Sequence, residues 1–229
     1  MLQVREITIF VIFPIVAVLF IILGALILRR DKRYLANQAY TIFFWSVGIG
    51  LLFNVIYVIF PEENLIIAFN LTTTELVNAG FASLLLATLV IYKGEKIVQE
   101  SIQIKIIMLG IAIACVILGL IPGGIYVIMN DALWSVAFGT MELILTQGIL
   151  LACVVISLTI IKDLGPEMKR KFLLYIIGIV FLNITFFGTA IDNMNFFPEI
   201  HDVFSYLNIL VIIGTILIYF GIVRRTESH

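Results

Sequence analysis

A chain of 229 residues in which 62% are hydrophobic and 13% charged is not an ordinary soluble domain, where those shares are roughly 45–50% and 25%. A net charge of −1 gives nucleic acid no electrostatic reason to bind, and two cysteines are too few for a disulfide framework. The composition specifies an all-α integral membrane protein, one domain over residues 1–229, whose first partner is the lipid bilayer.

The first apolar run, about residues 7–28, is long enough to span a bilayer. Its basic cluster (Arg29, Arg30, Lys32, Arg33) follows the run, and no small-residue cleavage pattern is present, so it reads as a retained helix rather than a signal peptide. The second run, 34–60, stops at Pro61-Glu62-Glu63. The third, 64–92, ends at Lys93-Gly94-Glu95-Lys96, and a polar linker continues to Lys105. The fourth is predicted over 104–129, with Pro122-Gly123-Gly124 breaking or kinking it near its far end. The fifth covers 132–161, the sixth 171–191 and the seventh 203–223. A three-residue match between Phe60-Pro61-Glu62 and Phe197-Pro198-Glu199 is too short to establish an internal repeat.

Seven runs predict a seven-transmembrane-helix bundle. Alternate connections hold 13 of the 14 basic residues, in the groups Arg29–Arg33, Lys93–Lys105, Lys162–Lys171 and Arg224–Arg225, with Arg5 alone on the other side. Basic residues stay cytoplasmic, so the N-terminus is expected outside and the C-terminus in the cytoplasm, as a multi-pass protein of the cell membrane. That orientation needs an odd number of spans, in agreement with seven. The outer side carries Glu6, Glu62, Glu63, Asp131, Asp192, Glu199 and Asp202, a negative mouth that would concentrate cations. It is also what remains when basic residues are excluded from that side.

Two glutamates interrupt the apolar runs. A charge at mid-membrane costs from about 3 to above 10 kcal/mol. Glu75 and Glu142 each lie 11 residues past the polar residue opening their run, Asn64 or Asp131. At 1.5 Å per residue that is about 16 Å, near mid-membrane. Around Glu75 the helical stripe reads Ala68, Thr72, Glu75, Ala79, Ala82, with Asn78 close by. Around Glu142 it reads Ser135, Gly139, Glu142, Thr146, Cys153. Small residues let helices approach in lipid, so both stripes are expected to face the bundle interior. With no lysine or arginine inside a span, each carboxyl must hold a proton, share a proton or cation, or be reached by water. Protonated glutamates that serve only as interhelical glue are the plainer alternative.

Asn54, Asn70, Asn183 and Asn208 lie roughly 9–14 Å from the outer ends of their helices, whereas the inner halves read as almost wholly apolar. The expectation is a polar pocket open to the outside and closed below. The first and fourth runs lack such groups and are expected to face lipid.

Other chemistry is poorly supported. Cys115 and Cys153 read as small packing residues. His201 and His229 are the only histidines and fall outside the spans, so zinc and haem sites lack ligands. Gly119–Gly124 lacks the lysine of a phosphate loop. No metal or cofactor is expected, and no enzymatic activity, since nothing marks a nucleophile or substrate beside the glutamates.

In layout alone the chain resembles microbial rhodopsins. Retinal attachment in that family implies a lysine in the last span, and no lysine follows Lys171. The layout also resembles seven-helix receptors and the membrane sensor regions of some prokaryotic kinases. No kinase segment is present, so a signal would leave through a separate cytoplasmic partner. The expected function is receptor- or sensor-like, with Glu75, Glu142, Thr72, Asn78, Asn54, Asn183 and Asn208 binding a proton, a cation or a small cationic solute. The alternatives are a proton- or cation-coupled carrier of small solutes and a structural membrane protein with no ligand. A reporter fused at His229 is expected to give a cytoplasmic signal; an extracytoplasmic one would refute the odd span count.

Overall fold

The computed structural model describes residues 8–60, 62–128 and 131–222. Arg5, Glu6, Pro61, Arg224, Arg225 and His229, on which part of the expected topology rests, lie outside the described residues, as do the predicted ends at residues 7 and 223.

The first helix, α1, opens with a π turn at Thr8–Ile12 and continues as an α-helix over Phe13–Arg30. Pro14 lies in the first turn of the α-helical part. It lacks an N–H and its ring crowds the carbonyl four residues back, which a wider turn accommodates. Helix α2 spans Leu35–Tyr57 and α3 Glu63–Lys93. Gly94, at φ +88°, turns the chain into a short helix, α4, over Glu95–Glu100. Ser101 then caps α5, Ile102–Gly119, by accepting a hydrogen bond from the Ile104 N–H.

The fourth predicted run, 104–129, is not one helix. It stops at Gly119, and residues after the Pro122-Gly123-Gly124 turn form an antiparallel hairpin, β1 (Ile125–Ile128) with β2 (Asp131–Trp134). Gly123 adopts φ +62°, which favours glycine, and the β-branched residues that follow suit a strand. The fifth run accordingly starts later than expected: α6 covers Val136–Ile160, capped by Ser135, while Asp131–Trp134 belongs to the hairpin. Helix α7 runs over Pro166–Asn193, starting before the predicted residue 171 because Pro166 is well placed in a first turn. The seventh run is broken into α8, His201–Leu207, and α9, Ile209–Ile222, with the interruption at Asn208.

Six helices are long and apolar enough to cross a membrane. The chain is a multi-pass membrane protein, helical apart from the hairpin, with large apolar side chains such as Ile15, Ile22, Ile106, Leu109, Ile144 and Phe187 exposed for lipid contact. Every described lysine and arginine belongs to the connections α1–α2, α3–α5 or α6–α7, at one end of the bundle, called here the basic end.

Polar and small residues join the helices. Trp45 Nε1 donates to the Ile21 carbonyl at 3.1 Å and Thr41 to the Gly24 carbonyl at 3.2 Å, tying α2 to α1. Thr73 donates to the Gly50 carbonyl at 3.0 Å, tying α3 to α2. The first run therefore does not simply face lipid: Val16, Ala17, Phe20 and Ile27 are buried against the bundle. The expectation holds for the fourth run, since α5 buries only Ile104 and Leu118. At the opposite end from the lysines, Trp134, Ile125 and Ala132 of the hairpin pack with Ile66, Leu118 and Phe138 in a second, smaller core.

Helices α7 and α9 meet through Gly178 and Gly214. A methyl group on Gly178 would lie 2.6 Å from the Gly214 carbonyl oxygen and 2.9 Å from the Ile218 nitrogen. Both obstacles are backbone, so the helices would have to separate. Gly178→Ala is expected to lower stability in detergent by about 1–3 kcal/mol, read as a fall in melting temperature. Gly148→Ala, where an added methyl meets nothing within 4 Å, is expected to be neutral or slightly stabilising.

Candidate functional site

The buried face of α3 carries Asn70, Thr73, Thr74, Val77 and Asn78, and that of α6 carries Gly139, Glu142 and Thr146. Where these faces meet, Asn78 Nδ2 donates to Glu142 Oε2 at 2.8 Å. The Thr146 hydroxyl lies 2.9 Å from Glu142 Oε1 and 3.3 Å from Asn78 Oδ1. Glu142 is 5% exposed and Asn78 fully buried, so these partners replace water.

The geometry accommodates two hydrogen-bonding states. With a proton on Oε1, Glu142 donates to Thr146, Thr146 to Asn78, and Asn78 back to Oε2. The ring closes and every member is satisfied. As a carboxylate, Glu142 accepts from both neighbours and competes with Asn78 Oδ1 for the single hydrogen of Thr146. A cation or water would then be needed to balance the site.

Glu142 also lines a cavity of about 70 Å³, room for a few waters. Asn54 of α2, Asn70 of α3, Asn193 of α7 and Asn208 share its wall with Thr73, Thr74, Thr185 and Thr189. Leu51, Val77, Phe186 and Val211 supply much of the apolar remainder. Among the described residues, no lysine or arginine lines it. The hairpin closes one side, where Trp134 Nε1 donates to Asn70 Oδ1 at 2.9 Å. Thr185 Oγ1 donates to the Leu207 carbonyl at 3.1 Å, beside the break between α8 and α9. Irregular backbone in a membrane protein is tolerated where such a bond or a cavity meets it.

The structure thus gathers Glu142, Asn78, Asn54 and Asn208. It does not gather Glu75, Thr72 or Asn183. The stripe Ala68, Thr72, Ala79 is exposed and Glu75 only half-buried, so this face of α3 does not look into the bundle, contrary to expectation. Thr72 Oγ1 is bonded to its own helix at the Ala68 carbonyl, 2.7 Å away. Glu75 turns toward α5, beside Gly119 and Cys115, and its Oε1 is buried without a hydrogen-bond partner. The physical reason is that α3 is polar on two faces, and the one richer in Asn and Thr is the face that packs on α2 and α6. Asn183 is half-buried on α7; its Nδ2 has no partner, and its carbonyl accepts from Gln147 at 3.3 Å.

A second polar cluster corrects the expectation of apolar inner halves. Thr88 Oγ1 of α3 and Tyr175 OH of α7 lie 2.6 Å apart, both fully buried. Tyr40 of α2 meets the Tyr175 ring edge-on at 6.1 Å. Cys153 of α6 adjoins Thr88 and Tyr175, and Ser157 is one turn further along α6. Sequence reasoning passed over these residues because single hydroxyls in an apolar run carry little hydropathy signal.

Fold and site together define a multi-pass, largely α-helical membrane protein with a carboxyl in the wall of a partly open cavity between its helices. The chain matches no protein-family model, no curated protein and no solved structure.

Removing Asn78 would leave buried oxygens of Glu142 and Thr146 short of a partner. Asn78→Ala is expected to cost about 1–3 kcal/mol in detergent melting, whereas Thr72→Ala, at an exposed site, should stay within about 0.5 kcal/mol of the parent.

Proposed function

We propose that this is a receptor- or sensor-like protein of the cell membrane that binds a proton, or a small cation in its place, at Glu142. The observation that carries the reading is the triad of Glu142, Asn78 and Thr146 in the cavity wall: a buried carboxyl whose neighbours are complete when it is protonated and short of a hydrogen when it is not. Among the described residues no basic side chain lines the cavity, which favours a positively charged visitor over an anion.

The proposed orientation places the basic end in the cytoplasm and the cavity in the outer half, with seven crossings, the last made by α8 and α9 together. Its support is that Arg30, at the last turn of α1, lies over the ring of Tyr219 in α9 at 5.9 Å. Helices α1 and α9 therefore end together, as an odd number of crossings requires. Acids Glu62, Glu63, Asp131 and Glu199 flank the outer end, where they would raise the local concentration of cations.

In this reading the switch is the contact between α3 and α6. Gain of a proton closes the ring across the two helices; loss opens it and shifts their packing. Both helices lead directly into basic connections, at Lys93–Lys105 and Lys162–Lys171, where a cytoplasmic signalling partner would read the change. A proton- or cation-coupled carrier is the second reading, favoured by the helix break at Asn208 beside the cavity, since carriers bind their cargo at interrupted helices.

Infrared difference spectra of the membrane-embedded protein, stepped between acid and alkaline pH, test the reading. A carboxylic C=O band should appear and vanish reversibly, be missing in Glu142→Gln and persist in Glu75→Gln. A band indifferent to Glu142→Gln would remove Glu142 as the proton-binding group.

A further inference from the structure

Glu142, Asn78 and the cavity-lining Thr185 stand at similar separations from Cys153, Thr88 and Tyr175 on their three helices. From Asn78 to Thr88 along α3 is 10 residues, from Glu142 to Cys153 along α6 is 11, and from Thr185 to Tyr175 along α7 is 10. At 1.5 Å per residue each interval is about 15–16 Å. The fully buried side chains of the layer between them are apolar on all three: Phe81 and Leu85, Ile149 and Leu150, Ile179 and Leu182, while Gln147 and Asn183 fall in the same interval as half-buried polar groups beside this core. Phe186 stands edge-on to Phe81 with ring centroids 4.7 Å apart, and the same side chain lines the outer cavity. It is therefore both a wall of the cavity and the top of the apolar layer.

The inner cluster also has hydrogen-bonding capacity that the protein leaves unused. Among the described residues, Ser157 Oγ and Tyr40 OH, on side chains 0% and 2% exposed, make no hydrogen bond of good geometry, although the Tyr40 phenol stands close to that of Tyr175. A buried hydroxyl without a partner is costly relative to the phenylalanine or alanine that would fill the same space. Water entering from the apolar layer or from the basic end would satisfy both.

We propose that the hydroxyl cluster of Tyr40, Thr88, Ser157 and Tyr175 is the inner station of a gated proton path that begins at Glu142, with Phe81, Leu150 and Phe186 as the gate. This rests on Glu142 being the proton-binding group and adds an activity to it, passage of protons through the bundle. When the gate admits water, Glu142 Oε1 gives its proton to a water molecule. The excess proton passes along the water to the inner cluster. There each hydroxyl oxygen accepts one hydrogen and releases another, ending unchanged, until the proton leaves at the basic end. Glu142 takes a new proton from the cavity. One proton enters and one leaves, and no other bond changes.

The full chain, reconstituted in liposomes holding a pH-sensitive dye, tests this with the proton itself as probe, under a pH gradient and with potassium and valinomycin clamping the potential. Proton uptake is expected to exceed that of protein-free vesicles. Tyr175→Phe and Glu142→Gln should each reduce it at least tenfold, and Phe186→Ala should raise it severalfold. The raised flux of Phe186→Ala should fall again when Tyr175→Phe is added, which a mere packing defect would not produce. Tyr40→Phe removes a hydroxyl that makes no hydrogen bond of good geometry in the resting fold, so its loss of flux at unchanged melting temperature would separate proton handling from folding. The proposal is overturned if wild type and Phe186→Ala both match empty vesicles, or if Tyr175→Phe conducts like wild type. A persistent Glu142 infrared band alongside absent flux would leave the binding reading intact and remove the path alone; loss of both would remove both.

Discussion

A carboxyl group in the interior of a bilayer has to be given partners by the protein, and the way this chain does so sets the relation between its central helices. Glu142 takes one hydrogen bond from Asn78 of α3 and shares a hydrogen with Thr146 of its own helix. Because apolar side chains gain little by leaving lipid for one another, polar contacts and close packing decide which helix faces meet. The pairing of α3 with α6 follows from those few atoms. The same logic recurs where Thr41, Trp45 and Thr73 reach carbonyls of a neighbouring helix.

Much of this architecture was legible in the sequence. Runs long enough to span announce the helices, and the grouping of lysines and arginines marks one end of the bundle. Glu142, Asn54 and Asn208 line one cavity, and their depth along each helix can be counted from the sequence at a fixed rise. What the count does not supply is the rotation of each helix. Glu75 and Asn78 differ by three residues, yet Asn78 is fully buried and Glu75 is turned toward α5. Rotation depends on which face finds the better partner, and α3 offers polar groups on both. The hairpin was hidden for a related reason. Ile125–Ile128 and Ala132–Trp134 are as apolar as a span, and the Pro122-Gly123-Gly124 turn that stops the helix leaves open whether the chain resumes as helix or strand.

The two polar layers give the bundle an order along its axis. The layer nearer the hairpin holds the carboxyl and the cavity, the middle layer is filled by Phe81, Leu150 and their neighbours, and the layer nearer the basic end holds Thr88 and Tyr175. Close contacts of Gly178 with Gly214, and of Gly221 with Tyr175, press α9 against α7 across the inner region. The broken helix, the hairpin and the cavity lie together at the opposite end.

Helix α5 stands apart from this order. It buries only Ile104 and Leu118, near its two ends, and exposes Ile106, Ile107, Leu109, Ile113 and Val116. Contacts so sparse would hold a separate helix weakly, because lipid solvates its apolar surface as well as the bundle does. What keeps it in place is tethering: the Gly94–Ser101 connection at one end and the hairpin at the other make its docking an intramolecular equilibrium at high effective concentration. The consequence is a built-in side panel. The carboxyl of Glu75, half-buried beside Gly119 and Cys115 and absent from the cavity wall, is thus covered by the helix that the bundle holds least.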